Sequence, residues 1–209
     1  MKYFITGLLI IGAAFQSVAQ TNFAVTAGYN HNTARILTNN VKQSTGYKPG
    51  FNLGARLKTS FEPPLHFVAA ISYNNRGYTF EPSTFGDTSK IETSIHYIDI
   101  APMLNYDFNV GNNNKISLTA GPVLGIAFSG KQKITEDGVT KSSDMKFSMS
   151  GNYGYFNVGI HSGISYQFNK MFVEAAYHLG FSSISNEEEL DKTNIKNRGF
   201  SLTLGYWLK

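Results

Sequence analysis

Residues 97–108, YIDIAPMLNYDF, place a carboxylate and a proline in a stretch that otherwise resembles a strand. Read at every second position, this segment has one apolar face and one mostly polar face. The apolar face holds Ile98, Ile100, Pro102, Leu104, Tyr106 and Phe108, and the polar face holds Tyr97, Asp99, Ala101, Met103, Asn105 and Asp107. A period of two predicts a β-strand that separates two different environments.

The same alternation recurs along the chain and predicts eight strands. Most of these segments reach about ten residues or more, which is the length that a tilted strand needs to cross a bilayer. Strands of soluble proteins are usually shorter, at about five or six residues. The predicted strands are residues 22–31, 49–61, 65–76, 94–108, 115–128, 153–168, 171–183 and 198–208.

Composition limits the class of protein. Charged residues make up 15% of the chain and aromatic residues 14%, whereas ordinary soluble domains contain roughly 25% charged residues. There is no cysteine, which excludes disulfides and thiolate metal sites. The net charge of +4 is scattered, without the basic block typical of nucleic-acid binding. Two classes remain, an exported soluble β-sandwich and a membrane β-barrel.

The connections between the predicted strands distinguish these two classes, because short and long connections alternate strictly. The short ones are residues 62–64, 109–114 and 169–170, and the long polar ones are residues 32–48, 77–93, 129–152 and 184–197. This rhythm is typical of an outer-membrane barrel with its short turns in the periplasm. The predicted fold is therefore all-β, an eight-stranded antiparallel transmembrane up-and-down β-barrel with both termini on the periplasmic side.

The first residues have the features of a cleavable signal peptide. A basic start at Met1-Lys2 precedes the apolar stretch YFITGLLIIGAAF, and Ser17-Val18-Ala19 supplies small residues before the predicted cleavage after Ala19. The apolar stretch is shorter than the approximately 20 residues of a spanning helix. We therefore expect residues 1–19 to be a signal peptide and residues 20–209 to be the barrel domain.

The polar face of the strands is predicted to line the barrel interior, because a narrow eight-stranded barrel is filled by its own side chains. Asp99 and Glu174 are expected to be ionised there and held by Arg56, with Lys58 or His178 as further partners. His161 and His178 are expected to be hydrogen-bonded members of this network. The predicted lumen network is Arg56, Lys58, Asp99, His161, Glu174 and His178.

The apolar face of the strands is predicted to contact lipid, with aromatic girdles at both interfaces. The predicted outer girdle is Tyr73, Phe128, Phe156, Phe181 and Phe200. The predicted periplasmic girdle is Phe61, Phe67, Tyr106, Phe108, Tyr166, Phe168 and Tyr206. Pro102 and Pro122 fall on this lipid face at corresponding depths, and we interpret them as bulges or local bends because proline lacks an amide donor.

Histidine, serine and acidic residues raise the question of catalysis. His161 and Ser162 are neighbours and therefore face opposite sides of a strand, so they cannot form a catalytic dyad. His96 and Ser162 share the lipid face, but no carboxylate lies there to orient the histidine. We therefore expect no enzyme activity and no cofactor.

Two polar loops are the other candidates for a functional role. Residues 187–192, EEELDK, lack the ligand spacing and central glycine of a calcium loop and are interpreted as a solvated loop tip. Residues 129–152 form the longest loop, in which the segment KFSMS is expected to extend the sixth-strand hairpin above the membrane. Binding of a partner is expected in such loops.

Several segments resemble a known family. The motifs YIDIAPMLNYDF, LTAGPVLGIAF, FNVGIHSGISYQFNK, FVEAAYHLGFSSI and NRGFSLTLGYWL, in this order, are similar to those of the PorT-like outer-membrane β-barrel proteins of the Bacteroidetes type. The resemblance covers essentially the whole mature chain. It implies insertion by the barrel-assembly machinery; most members have no assigned activity, and one belongs to a protein-secretion system.

Two positions depart from the pattern of that family. An arginine is common where this chain has Ala176, so the resemblance leaves the usual interior partner of Glu174 missing. The family often ends in an aromatic residue, whereas this chain ends in Leu208-Lys209.

Three functions are consistent with these observations. The first is a structural or interaction barrel with a filled lumen, whose role is carried by its extracellular loops. The second is a narrow channel or passive transporter, and the third is a subunit of a secretion or envelope complex. The expected partners are outer-membrane lipid, the barrel-assembly machinery during insertion and envelope proteins, but not nucleic acid.

Overall fold

A computed structural model describes residues 21–81, 89–111, 114–149, 153–186 and 193–208. The regular secondary structure of the described residues is β-strand. No helix among the described residues is long and apolar enough to span a membrane. The predicted signal peptide (1–19) and the acidic segment 187–192 lie outside the described residues. The strands are β1 (Thr21–Thr38), β2 (Val41–Lys42), β3 (Thr45–Glu62), β4 (Leu65–Phe80), β5 (Lys90–Asn109), β6 (Asn114–Glu136), β7 (Val139–Asp144), β8 (Phe156–Phe168), β9 (Met171–Gly180) and β10 (Thr193–Trp207).

Eight of these strands close into a ring. The order is β1-β3-β4-β5-β6-β8-β9-β10, each strand is antiparallel to its neighbours, and β10 pairs with β1 from Ala24 opposite Trp207 to Thr38 opposite Thr193. Closure leaves no wall strand with an unpaired edge, as a bilayer requires. The predicted eight-stranded up-and-down barrel is confirmed, and the first and last strands meet at the end with the short turns.

The strands extend further at the opposite, outer end than the alternation predicted. Much of the predicted long loops 32–48, 77–93 and 129–152 is sheet, because β1 continues to Thr38, β5 starts at Lys90 and β6 continues to Glu136. At this outer end the inward residues, such as Ile36 and Ile95, are apolar and buried, whereas outward residues such as Arg35 are polar. The alternation therefore reverses its phase and no longer continues the lipid-facing pattern that identified the strands. The barrel wall therefore projects beyond the lipid.

The projecting part of the wall contains two hairpins. β1 turns into β2 through Asn39-Asn40, and β6 turns into β7 through Asp137-Gly138, all four with positive φ. Such two-residue turns favour Asn, Asp and Gly because these residues tolerate the left-handed region. Within the KFSMS segment, Phe147 forms an isolated bridge with Tyr153, the first residue of the predicted sixth strand (153–168).

Side-chain exposure follows the predicted faces. Leu118 and Leu204 are 48% and 59% exposed, whereas the neighbouring Thr119 and Thr203 are each 4% exposed. Aromatic contacts mark the rims: the ring of Tyr73 lies 5.2 Å from that of Phe51 and 6.2 Å from that of Phe128. At the short-turn end, the rings of Tyr106 and Phe108 lie 4.8 Å apart. The apolar outer surface is thus bounded by aromatic side chains at both ends.

The two prolines of the lipid face interrupt one ladder without shifting it. β5 and β6 pair up to Ile100 opposite Leu124 and resume in the same register at Leu104 opposite Ala120. The prolines do not form bulges, because the register shift on this strand pair lies between His96 and Tyr97. The alternative, a local bend at the prolines, stays a prediction. The strands remain close here, since a Cβ on Gly121 would clash with the carbonyl oxygen of Pro102.

Candidate functional site

The lumen is the part of the molecule where charged side chains are concentrated, and it is built in layers. Along β5 the inward positions run from the outer end to the periplasmic end. In that order they are Thr93, Ile95, Tyr97, Asp99, Ala101, Met103, Asn105 and Asp107. Two carboxylates are thus separated by an apolar layer, in which Ala101 and Met103 pack with Val68 and Val123.

The middle of the lumen is crossed by a bidentate ion pair. Arg56 on β3 donates two hydrogen bonds to the carboxylate of Glu174 on β9, at 2.7 Å and 2.6 Å. The guanidinium also lies over the ring of Phe172, 5.5 Å from its centroid. Bidentate arginine–carboxylate pairs are among the strongest polar contacts in proteins. Arg56 thus neutralises Glu174 across the bore.

Asp99 has a different partner from the one predicted. Arg76 on β4 donates to Oδ2 of Asp99, and Asn74 donates to the same oxygen at 2.7 Å. Arg76 also lies over the ring of Tyr97, 5.0 Å from its centroid. The expected pairing of Asp99 with Arg56 is therefore wrong. Arg76 is absent from the predicted lumen network because it is the last residue of a predicted strand. The odd-numbered residues of β4 form its apolar outward face, so the even-numbered Arg76 belongs to the inward face.

Lys58 forms the third charged layer, nearest the periplasmic end. Its Nζ donates to both carboxylate oxygens of Asp107, at 2.7 Å and 2.8 Å, and Ser117 donates to the same carboxylate at 2.8 Å. His66 Nε2 and Lys115 Nζ approach it at 3.2 Å and 3.6 Å. The expectation that Lys58 is a partner of Asp99 or Glu174 is therefore wrong. Asp107 is absent from the predicted lumen network, although its place on the polar face of residues 97–108 indicates that it points into the lumen.

Two histidines point into the lumen, from facing positions on β8 and β9. Nε2 of His161 lies 3.3 Å from Oε1 of Glu174, which is an ion-pair distance without hydrogen-bond geometry. The buried Nε2 of His178 likewise has no hydrogen-bond partner among the described residues. The expectation that both histidines are hydrogen-bonded members of the network therefore does not hold at Nε2 of either ring.

The outer end of the lumen is closed by an apolar cluster, which we call the outer cap. Ile184, from the segment that follows β9, is folded into the bore and is fixed by a hydrogen bond from its amide to the Ile195 carbonyl at 2.9 Å. Tyr97 accepts a hydrogen bond from Asn197 at 3.1 Å beneath it. The buried members of the outer cap are Ala34, Ile36, Tyr78, Ile95, Tyr97, Ala127, Met145, Ile184 and Ile195.

The remaining space inside the described barrel is small and divided. A cavity of about 70 Å³ lies beside Arg76, Asp99 and His178, and one of about 20 Å³ lies near Lys58. Arg56 lines both cavities and lies between them. Such volumes hold a few water molecules.

The geometry does not assemble a catalytic or metal site from the residues considered for one. Ser162 is exposed on the outer surface, whereas the adjacent His161 points inward. His96 is hydrogen-bonded to the hydroxyl of Tyr73 at 2.5 Å. Within the described ranges, no three His, Cys, Asp or Glu side chains are grouped so that they could hold a metal ion.

Solved structures similar to this chain are bacterial surface proteins. Ail of Yersinia pestis, in complex with the heparin analogue sucrose octasulfate, is 15% identical over 90% of this chain and 99% of that one, with a TM-score of 0.45. Neisserial surface protein A is 18% identical over 90% and 98% of the two chains, with a TM-score of 0.43. OprG from Pseudomonas aeruginosa is 13% identical over 90% and 95%, with a TM-score of 0.45. No curated protein sequence matches the chain.

A family model accounts for most of the sequence. Residues 16–186 match the outer membrane protein beta-barrel domain. The match spans more than half of the chain and agrees with the closed ring of membrane-length strands. The chain belongs to the outer membrane protein beta-barrel domain family and is a protein of the Gram-negative outer membrane.

Proposed function

We propose that this protein is a non-conducting outer-membrane barrel whose role is carried by the strands and loops that project outside the cell. The observation that carries the proposal is the closed lumen: three charged layers and the outer cap follow one another along the bore. An ion that entered would have to displace the bidentate contact between Arg56 and Glu174. It would then meet an apolar constriction, which resists wetting.

The projecting region supplies the surface for an interaction role. The hairpin of β6 and β7 stands beyond the outer girdle and exposes 61% of Val139. Met149, in the segment that follows β7, is 78% exposed. Loops and hairpins on a rigid scaffold commonly carry binding. An enzymatic role is not part of the proposal, because His161 and Ser162 lie on opposite faces.

A finer assignment follows from the sequence motifs. We propose membership of the PorT-like group, insertion by the barrel-assembly machinery, and contact with envelope proteins through the projecting hairpins. A subunit of a secretion or envelope complex would use the same surface. Of the alternatives, a narrow channel is disfavoured by the division of the lumen at Arg56.

Conductance in a planar bilayer tests the closed lumen. We expect purified, refolded protein to give no steady conductance steps. The triple variant Arg56→Ser/Glu174→Ser/Ile184→Ser should give small steps. Steady, large steps from the unmodified protein, absent from a refolding-defective control, would contradict the proposal and support a channel.

Co-purification tests the interaction role. The barrel is extracted in mild detergent from cells that carry either the full chain or a variant in which residues 131–144 are replaced by a two-glycine turn. We expect envelope partners with the full chain and their loss with the shortened hairpin. Equal recovery of partners with both proteins would remove the hairpin from the proposal.

A further inference from the structure

A recess interrupts the lipid-facing surface on the side of β8, β9 and β10. Its floor is made by small side chains, chiefly Ser162 and Ala175, and its volume is about 540 Å³. Larger outward side chains surround this floor: Tyr29, Leu118, Ile164, Tyr177, Phe200 and Leu202. Because the recess lies below the girdle residue Phe200, its lower part faces hydrocarbon and can be filled only by apolar chains.

Basic side chains stand directly above this recess. Arg198 lies two residues beyond Phe200 on the same face of β10, and Lys196 lies two residues further. At about 3.3 Å per residue, these steps carry the charges from the girdle into the headgroup layer. A second recess of about 350 Å³ contains Arg198 and shares Tyr177 and Phe200 with the first. The apolar recess is thus continuous with the recess that contains Arg198. We call Arg198, Lys196 and Arg35 on the neighbouring strand β1 the basic rim.

The basic rim is not neutralised by a carboxylate in the described part of the chain. Arg35 on β1 lies directly opposite Lys196 on β10. Like charges at directly opposed positions destabilise a sheet. In contrast, Lys48 and Lys90 nearby each lie within 3.6 Å of Glu92. Nε of Arg198 is buried without a hydrogen-bond partner among the described residues. An anion bound between these side chains would remove the repulsion.

We propose that the recess and its basic rim bind one phosphorylated lipid of the outer leaflet. An acyl chain lies over Ser162 and Ala175, and the phosphate is held by Arg198, Lys196 and Arg35. A guanidinium presents a planar pair of donors that fits phosphate oxygens, and an ammonium adds a point charge. A protein ligand does not fit, because the lower recess lies within the bilayer.

The phosphate arm of this proposal is tested by native mass spectrometry of the mature chain in dodecyl maltoside, titrated with bisphosphorylated lipid A and with its dephosphorylated form. We expect one retained phosphorylated lipid and at least about tenfold weaker retention of the dephosphorylated form. Arg198→Gln/Lys196→Gln abolishes this preference, whereas Lys131→Gln/Lys133→Gln, which removes the same charge on β6, keeps it. Equal binding of both lipids, or equal loss in both variants, overturns the proposal.

Binding of an acyl chain in the recess is tested by two matched substitutions of lipid-facing alanines. Ala175→Phe fills the floor of the recess, and Ala69→Phe adds the same ring on β4, at the opposite side of the barrel. Heat-modifiable gel mobility shows that each variant is folded. We expect only Ala175→Phe to weaken lipid A retention. No loss with Ala175→Phe, or full competition by inorganic phosphate alone, overturns the assignment to a lipid.

Discussion

Two regions of the same barrel interior have opposite character. Within the membrane band, the lumen holds Arg56, Lys58 and their carboxylate partners, while the outer surface is apolar. Beyond the outer girdle the arrangement is inverted: the interior is the apolar outer cap, and the exterior carries charges such as Arg35. The wall strands that continue beyond the girdle, such as β1, β5 and β10, therefore exchange their polar and apolar faces where the surrounding solvent changes from lipid to water.

The inversion follows from what each solvent requires. Lipid removes the hydrophobic incentive to bury apolar side chains inside, so the membrane section is held by backbone closure and interior ion pairs. Water restores that incentive, and the outer section buries Ile95, Ile184 and Ile195 as a small soluble barrel would. The boundary is visible on β5, where apolar Ile95 and Tyr97 give way to Asp99.

The largest expected effect tests the polar half of this comparison. Arg56→Met leaves Glu174 buried without its bidentate partner, and we expect the free energy of unfolding to fall by about 3–5 kcal/mol. The double variant Arg56→Met/Glu174→Leu should recover part of that loss. Urea unfolding in lipid vesicles measures both. Strict additivity of the two single losses would show that the pair does not interact.

The sequence predicted the membrane half better than the outer half. Alternation over long strands identified eight crossings and their faces, because lipid imposes one polarity on every outward residue. The alternation did not reveal the ion-pair partners. Arg76 pairs with Asp99 and Lys58 pairs with Asp107, and both contacts join different strands. Alternation along one strand shows which face a residue lies on but not which residue of another strand it meets.

The outer cap was missed for a different reason. Its members come from segments that were assigned to polar loops, such as Tyr78, Met145 and Ile184. Isolated apolar residues among polar ones carry no periodic signal. The Asp137-Gly138 turn was a readable sign of the β6–β7 hairpin, because this dipeptide favours a two-residue turn.

The next effect tests the apolar half. Ile95→Ala removes a fully buried side chain from the outer cap, and we expect a loss of about 2–5 kcal/mol because a cavity remains. Ile100→Ala, on the lipid face of the same strand, should cost clearly less, since lipid chains fill the space. Differential unfolding of the two variants in vesicles gives the comparison. A larger loss at Ile100 would mean that the cap is not a packed core.

A third substitution tests where the exterior changes polarity. Leu118→Arg places a charge in hydrocarbon and should cost about 2–4 kcal/mol. Val139→Arg, on the projecting hairpin, should change stability by less than about 0.5 kcal/mol because the site is in water. The folded fraction on heat-modifiable gels reports both. Equal losses at the two sites would place the hairpin within the membrane.

The smallest expected effect concerns pH and the outer cap alone. Burial raises the pKa of Tyr78 to about 12, above its ordinary value of 10.0. The folded state then holds the phenolic proton more tightly than the unfolded state does, so this contribution is complete below pH 10 and is lost as pH rises from 10 to 12. At pH 11 the loss should be about 1.4 kcal/mol. Tyr78→Phe cannot ionise, so the stability difference between the two proteins should narrow between pH 9 and pH 11. A difference that stays constant over this interval would mean that Tyr78 is hydrated, and that water reaches the apolar end of the lumen.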